Sequence, residues 1–328
     1  MSGGPAGNDP GMTDASAGPV RPVVVGVDGS QDSLVAADLA ADEAELRHRP
    51  LEIVHAFVPP FGAEPWAVLP PPPGPGTQPV VPAEVLHEHA ERLLHDAASR
   101  IREKHPDLSM ISRLRDGLPA AVLTGSSRQA ELVVVGHRGR GGFPGMLAGS
   151  VAVQLAAHAA CPVIVARGSA VPEAPVVLGA DGSQAARRAA VFAFDAAARY
   201  GVPVTALYAW PADLAWPPEL VRAGYPPPEV PDLVGETLAG IADRYPGVVV
   251  RPEVHRHTAA HQALLAASAN ARLVVVGSRG RGGFRGLLLG SVSQALIHHA
   301  ACPVAVVGPQ SRRPEGGEDP WTPTAPDG

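Results

Sequence analysis

Leu132–Gly168 reads LVVVGHRGRGGFPGMLAGSVAVQLAAHAACPVIVARG, and Leu273–Pro309 reads LVVVGSRGRGGFRGLLLGSVSQALIHHAACPVAVVGP. Aligned without gaps, about 24 of 37 positions are identical. Upstream, VVVGVDGSQ (Val23–Gln31) matches VVLGADGSQ (Val176–Gln184). A repeat of this length is far longer than a solenoid unit, so each copy is a whole domain and the chain is a tandem duplication. The offset between copies falls from 153 residues at the first block to 141 at the second. The first copy therefore carries extra residues, which the Pro-rich run Pro59–Pro82 accommodates.

Within each copy, short apolar runs alternate with helical patterns. Pro22–Asp28, Leu51–Val58, Leu108–Leu114, Leu132–Val135 and Pro162–Ala166 read as strands. Valine-rich runs without polar alternation suit strands buried on both faces of a parallel sheet. Ser33–Arg49, Ala83–Lys104, Leu118–Arg128 and Gly149–Ala160 read as the intervening helices, the first behind a polar start at Asp32 and Ser33. Strand–helix alternation implies right-handed crossovers and a doubly wound α/β fold with a parallel sheet in each of two tandem domains. The expected boundaries are a leader over 1–20, domains over 21–168 and 174–308, and a tail over 309–328. The leader and tail are rich in Gly, Pro and Asp and read as disordered.

Composition narrows the function. The 328 residues have a net charge of −6, which disfavours nucleic acid as a partner. No apolar run reaches the length of a membrane span, and the N-terminus has no signal-peptide pattern. Two cysteines in a chain of this length make no disulfide framework and fit a reducing, cytoplasmic setting. Cys161 and Cys302 occupy equivalent positions and read as buried thiols, not nucleophiles. Lys104 is the single lysine, in a charged stretch without glycines, so a Walker-type phosphate loop is excluded.

The chemical signal lies after the fourth strand of each copy. Gly136-x-x-Gly139 is followed, nine residues on, by Gly149-Ser150, and Gly277-x-x-Gly280 by Gly290-Ser291. Ligands of open α/β sheets bind beyond the carboxyl ends of the strands, where this loop must lie. Its glycines let main-chain amides approach a ligand closely. The helices opening at Gly149-Ser150-Val151 and Gly290-Ser291-Val292 offer free N–H groups to a phosphate. Ser150 and Ser291 add a hydroxyl or act as N-caps, and Arg138, Arg140, Arg279 and Arg281 add positive charge. A polyphosphate is the expected guest. The dinucleotide fingerprint G-x-G-x-x-G is not completed, because Pro144 and Arg285 fall where its last glycine belongs. Asp28 and Asp181 end the first strands; each forms an Asx-turn, contacts a ribose hydroxyl or binds a metal on the phosphates. Gly26 and Gly179, two residues earlier, would keep the strand end slim enough for a base or sugar.

These residues resemble the universal stress protein family: the strand-one Val-x-x-Gly-x-Asp-Gly-Ser and the G-2x-G-9x-G-[ST] loop match its ATP-binding branch. The resemblance spans Pro22 to Val307 and extends to the two-domain form common in actinobacteria. It implies a five-stranded parallel sheet per domain and a role in stress or dormancy signalling, with ATP as the ligand, together with Mg or Mn. It places Asp28 and Asp181 near ribose or adenine. The loops Gly136, His137, Arg138, Gly139, Arg140, Gly141, Gly142 and Gly277, Ser278, Arg279, Gly280, Arg281, Gly282, Gly283 would surround ribose and phosphates. The backbone of Ala56 and Ala209 would read adenine. The last strands, Val163–Ala166 and Val304–Val307, would pair the domains into an internal pseudo-dimer, which itself pairs with a second molecule. His137 departs from the commoner serine type seen at Ser278, and Thr258 and Ala260 stand where the first copy has the turn residues Gly117 and Pro119.

No base dedicated to activating water stands out, so a binding protein is expected and not an enzyme. Slow ATP hydrolysis, a cyclic nucleotide in place of ATP, and a nucleotide-free scaffold remain the alternatives. His255, His257 and His261 could form a metal cluster, but the first copy has Leu114, Asp116 and Ala120 there, and surface placement is the simpler reading.

Overall fold

The computed structural model describes residues 20–58, 82–140, 149–211, 229–257, 259–280 and 288–311. Residues 1–19 of the leader, 312–328 of the tail, most of both Pro-rich runs, and Gly141, Gly142, Thr258, Arg281, Gly282 and Gly283 lie outside the described residues.

Domain 1 contains β1 (Val23–Gly26), α1 (Gln31–Leu46), β2 (Leu51–Phe57), α2 (Ala83–Lys104), β3 (Met110–Asp116), α3 (Pro119–Ser126), β4 (Leu132–Gly136), α4 (Ser150–His158) and β5 (Val163–Ala166). Domain 2 repeats the order with β6 (Val176–Gly179), α5 (Gln184–Tyr200), β7 (Val204–Pro211), α6 (Glu229–Leu238), a 3-10 turn (Ala242–Arg244), β8 (Val250–His257), α7 (Ala260–Ser268), β9 (Leu273–Gly277), α8 (Ser291–His299) and β10 (Val304–Val307).

The strands form one ten-stranded sheet in the order β3-β2-β1-β4-β5-β10-β9-β6-β7-β8. All neighbours run parallel except β5 and β10, which pair antiparallel with Val304 opposite Val165, Ala305 opposite Ile164 and Val306 opposite Val163. Ile164 and Ala305 are equivalent residues of the duplicates, so a pseudo-twofold axis passes between them. Strands that would be edges of separate domains thus become the centre of the joint sheet. The outer edges are β3 and β8. Arg113 and Arg115 on β3 pair with Glu52 of β2, and β8 carries Pro252, which has no N–H to offer.

Alternation along the buried strands divides their side chains between two cores, each spanning both domains. Val23, Val25, Leu132, Val134 and Ile164 point to the layer of α1, α2 and α5. Val24, Val133, Val135, Val163 and Val165 point to that of α3, α4, α7 and α8. Helix α1 presents Ala36, Ala37, Ala40, Ala41 and Ala44, all fully buried, so its axis lies close to the sheet. It begins at Gln31, not at Ser33, because Ser30 is the N-cap and its hydroxyl oxygen accepts from the Ser33 amide at 3.2 Å. Ser183 caps α5 in the same way.

Across the domain boundary the duplicates are not alike. Arg47, buried at the end of α1, donates to Glu43 at 2.9 Å and to Asp195 of α5 at 3.1 Å, and its guanidinium lies over the Phe192 ring. Tyr200 donates to the other oxygen of Glu43. Arg167 donates to the carbonyls of Ile297 and Ala300 at the C-terminus of α8, where a cation is favoured by the helix dipole.

Candidate functional site

The carboxyl ends of β1 and β4 meet at the amino end of α1, and every local feature there allows close approach. A Cβ on Gly136 would lie 2.8 Å from the Asp32 backbone, and one on Gly277 would lie 2.8 Å from that of Ala185. These two glycines therefore seat α1 and α5 against the sheet. Gly26 and Gly179 serve packing as well: a Cβ would lie 2.6 Å from Leu123 of α3 in the first case, and 3.0 Å from Val276 and 3.4 Å from Leu264 of α7 in the second. Gly179 also borders the cavity described below.

Within the site, Gly139 and Gly280 make the closest approach. A Cβ on either would lie 2.4 or 2.5 Å from a carboxylate oxygen of Asp28 or Asp181. The Asp28 carboxylate accepts from the Ser30 amide at 3.0 Å and the Ser30 hydroxyl at 2.6 Å through one oxygen. Its other oxygen accepts from the Arg140 amide at 2.7 Å. Burial alone would raise its pKa, but these bonds and that of Ser33 outweigh it and hold the carboxyl below its ordinary range. Asp181 accepts from the Ser183 amide at 2.9 Å. Each aspartate thus makes the Asx-turn foreseen for it, and Asp28 also ties the glycine loop to the end of β1.

The loop closes on itself: the Gly149 amide donates to the His137 carbonyl at 2.7 Å, and the Gly290 amide to the Ser278 carbonyl at 2.8 Å. Of the two roles read for Ser150 and Ser291, a hydroxyl for the ligand or an N-cap, the second is corrected. Gly149 and Gly290 are the N-caps, with no side-chain cap bond, and the serines are the first helical residues. The first amides of α4 and α8 are therefore left for solvent or a ligand.

In domain 2 these elements enclose a cavity of about 590 Å³, within the range of small-molecule sites. Asp181, Arg279 and Gly280 border it on one side, Gly290, Ser291 and Val292 at the helix end, and Leu207, Tyr208, Ala209 and Leu264 along an apolar wall. Ala209 is thus brought to the site. In domain 1 Ala56 holds the same strand position, opposite Arg115 of β3. His55 there turns its Nδ1 to the Val27 carbonyl at 2.7 Å, where domain 2 has Tyr208.

His137 lies 3.3 Å from Asp32 across the first turn of α1. Burial lowers its pKa; Asp32 works against this, and Arg167 and Arg138 lower it further. Ser278 at the matching place is buried and neutral. Arg138 and Val151 hold the positions in domain 1 that Arg279 and Val292 hold beside the domain 2 cavity, and the Arg140 amide donates to Asp28.

The strand register corrects two correspondences. Ala56 faces Arg115 and Ala209 faces His255, so His255 matches Arg115, not Leu114, and by the same shift Asp116 matches Arg256, not His257. His255 pairs with Glu253 at 3.0 Å, and among the described residues no group of three metal-binding side chains forms. Burial pushes the thiols of Cys161 and Cys302 up to about 12, which leaves them inert at neutral pH.

Sequence reading did not single out Ser30, Thr237 or Ser293. Ser30 and Ser183 follow each Asp-Gly and could have been found as caps by position alone. Thr237 donates to the Leu233 carbonyl at 2.9 Å and accepts from the Gly182 amide at 3.0 Å, and nothing in the pattern of α6 marks it. Ser293 donates to the Gly277 carbonyl at 2.8 Å.

Comparison with known proteins agrees with this architecture. A universal stress protein of Mycobacterium tuberculosis (strain H37Rv) is 38% identical over 302 residues, covering 87% of this chain and 95% of that protein. One from Mycolicibacterium smegmatis is 37% identical over 306 residues, covering 88% and 97%. The crystal structure of a universal stress protein from Archaeoglobus fulgidus aligns over 88% of this chain and 98% of its own. Its TM-score is 0.64 and its identity 19%, a likeness of fold. The family model for universal stress proteins matches residues 19–167 and 174–308. With both halves matched, the chain belongs to the universal stress protein family.

Proposed function

We propose that the chain is an ATP-binding regulator of stress response or dormancy, acting in the cytoplasm through the difference between its nucleotide-bound and empty states. The observation that carries this reading is the cavity of domain 2. It brings an apolar wall long enough for a base, the Asp181 carboxylate, the Arg279 cation and an amino helix end without a side-chain cap around one space. Adenine would lie along Leu207–Ala209 and Leu264, the ribose by Asp181, and the phosphates by Gly280, Arg279 and the first amides of α8. Positive partial charge at a helix start and main-chain amides bared by glycine suit an anionic tail. Mg or Mn would accompany the phosphates as their counter-charge.

Binding, not turnover, is the proposed activity. Hydrolysis needs a positioned water and charge stabilisation of the transferred group. The carboxylate bordering the cavity is Asp181, and one of its oxygens is engaged by the Ser183 amide.

Native mass spectrometry of gently purified protein, followed by titration with ATP and Mg, tests the reading. Co-purified ATP or saturable binding is expected. A mass of AMP or a cyclic nucleotide would replace the ligand named here. Neither co-purification nor binding would leave a nucleotide-free scaffold. Asp28→Ala combined with Asp181→Ala is expected to weaken binding about tenfold or more, since each substitution removes hydrogen bonds of a charged group. Unchanged affinity in the folded variant would refute the role of the carboxylates.

A further inference from the structure

Two buried hydroxyls distinguish the second site from the first. Thr237 of α6 is fully buried, and its hydroxyl spans two main-chain groups: it donates to Leu233 within its own helix and accepts from Gly182. Gly182 lies between Asp181 and Ser183, so this bond anchors the Asp181 turn to the helix layer. The matching residue of domain 1 is Ala97, eight positions before His105-Pro106 as Thr237 is before Tyr245-Pro246. Burial supports the match, with Leu94 and Ile101 aligned to Val234 and Ile241 and all four buried. Around Gly29, the partner of Gly182, the helix layer offers the Leu93 side chain instead, and the Asp28 turn is held from within its own segment, by the Ser33 hydroxyl that donates to the Ser30 carbonyl at 2.8 Å.

Ser293, also buried, stands in the first turn of α8 and borders the cavity. Its hydroxyl donates to the carbonyl of Gly277 and thereby fixes the end of β9 to the helix that faces the ligand. Domain 1 has Ala152 there, equally buried and without a hydroxyl. Both differences act on the same site. Each fixes one wall of it in the ligand-free protein, and a wall already fixed loses less freedom when ligand binds.

We infer that the two sites are unequal: the domain 2 site is pre-organised by Thr237 and Ser293 and fills first, and these two are positioning residues for it. The inference rests on the nucleotide reading above and adds to it an order of occupancy and the side chains that set it. Neither hydroxyl is assigned a contact with the nucleotide. Each acts through the main chain it holds.

The full-length chain is titrated with ATP and Mg while hydrogen exchange is followed separately at the two glycine loops and the first turns of α4 and α8. The domain 2 amides are expected to gain protection at a lower ATP concentration than those of domain 1. Thr237→Val keeps the branched shape and removes both bonds. Ser293→Ala copies domain 1. Each should raise the domain 2 midpoint about 3- to 10-fold, the worth of one ordinary buried hydrogen bond, and leave the domain 1 midpoint in place. Thr237→Ser should restore the wild-type midpoint. In ligand-free protein, Thr237→Val should also speed exchange of the Gly182 amide, a readout independent of nucleotide.

Coincident midpoints in the wild type would overturn the order of filling. An unmoved domain 2 midpoint in both variants, or an unmoved Gly182 amide, would overturn the positioning role. ATP that protects neither domain would instead overturn the nucleotide reading, and the order of filling with it.

Discussion

At the interface the two domains answer the same positions with different chemistry. Arg47 closes α1 and Tyr200 closes α5, equivalent residues in the repeat. Domain 1 supplies a buried guanidinium and domain 2 a phenol, and both converge on Glu43. One step past the last strand, Arg167 reaches across to the end of α8, while its counterpart Gly308 lies 3.4 Å, measured to a notional Cβ, from the Ala159 carbonyl. A symmetric dimer of identical domains would face arginine with arginine at such a place. Joining the domains in one chain removes that constraint, and each position can complement its partner instead of itself.

The largest expected effect tests that asymmetry directly. Arg47→Ala leaves Glu43 buried without its cation and Asp195 with Arg199 alone, and should cost about 3–5 kcal/mol in urea unfolding. Tyr200→Phe, at the equivalent position, removes one hydrogen bond to Glu43 and should cost about 1–3 kcal/mol. Equal losses at the two positions would mean that the network does not lean on the guanidinium.

The next comparison concerns the turn that leaves β5. Gly168 has φ +53°, and a Cβ there would lie 1.9 Å from the Ala301 carbonyl oxygen of the other domain. Gly168→Ala should therefore lose about 2–4 kcal/mol, from left-handed strain and overpacking together. Gly308→Ala, where a Cβ meets ordinary contact distances, should change the unfolding free energy by less than about 1 kcal/mol. A benign Gly168→Ala would show that the domains separate easily enough to accommodate the methyl group.

The smallest effect concerns His137 against Ser278. Burial and the nearby arginines hold the folded pKa of His137 below the 6.5 of the free side chain. Below pH 6.5 the unfolded chain therefore binds the proton more readily, and the stability contributed by the neutral ring declines as the pH falls toward the folded pKa. His137→Ser should shrink the loss of stability between pH 7.5 and 5.5. The same loss in variant and wild type would assign that pH dependence to other groups.

Much of this architecture was legible because burial on both faces writes itself as unbroken valine. VVVG of β1 and LVVVG of β4 needed no alternation to be read, and duplication made their order unmistakable. The edge strand β3 was read two residues early, as Leu108–Leu114 in place of Met110–Asp116. One side of it faces solvent and pairs through arginines, so its apolar signal is diluted. The glycines at 136, 139, 277 and 280 were visible as a spacing, but their reasons differ. The first of each pair admits a helix backbone and the second a carboxylate, a distinction that requires coordinates. Arg47 and Asp195 lie 148 residues apart, and no local pattern could join them. The hydroxyls of Thr237 and Ser293 were equally hidden, since a buried threonine in a helix looks like any other small residue.

The antiparallel seam between β5 and β10 has a further consequence. Once those inner margins are spent on each other, growth of the sheet could continue through β3 and β8 alone. One is studded with arginines that would meet like charge in a second copy, and the other is interrupted by proline. The ten strands form a ribbon with blunted ends, so that crowding these molecules together need not zip them into filaments.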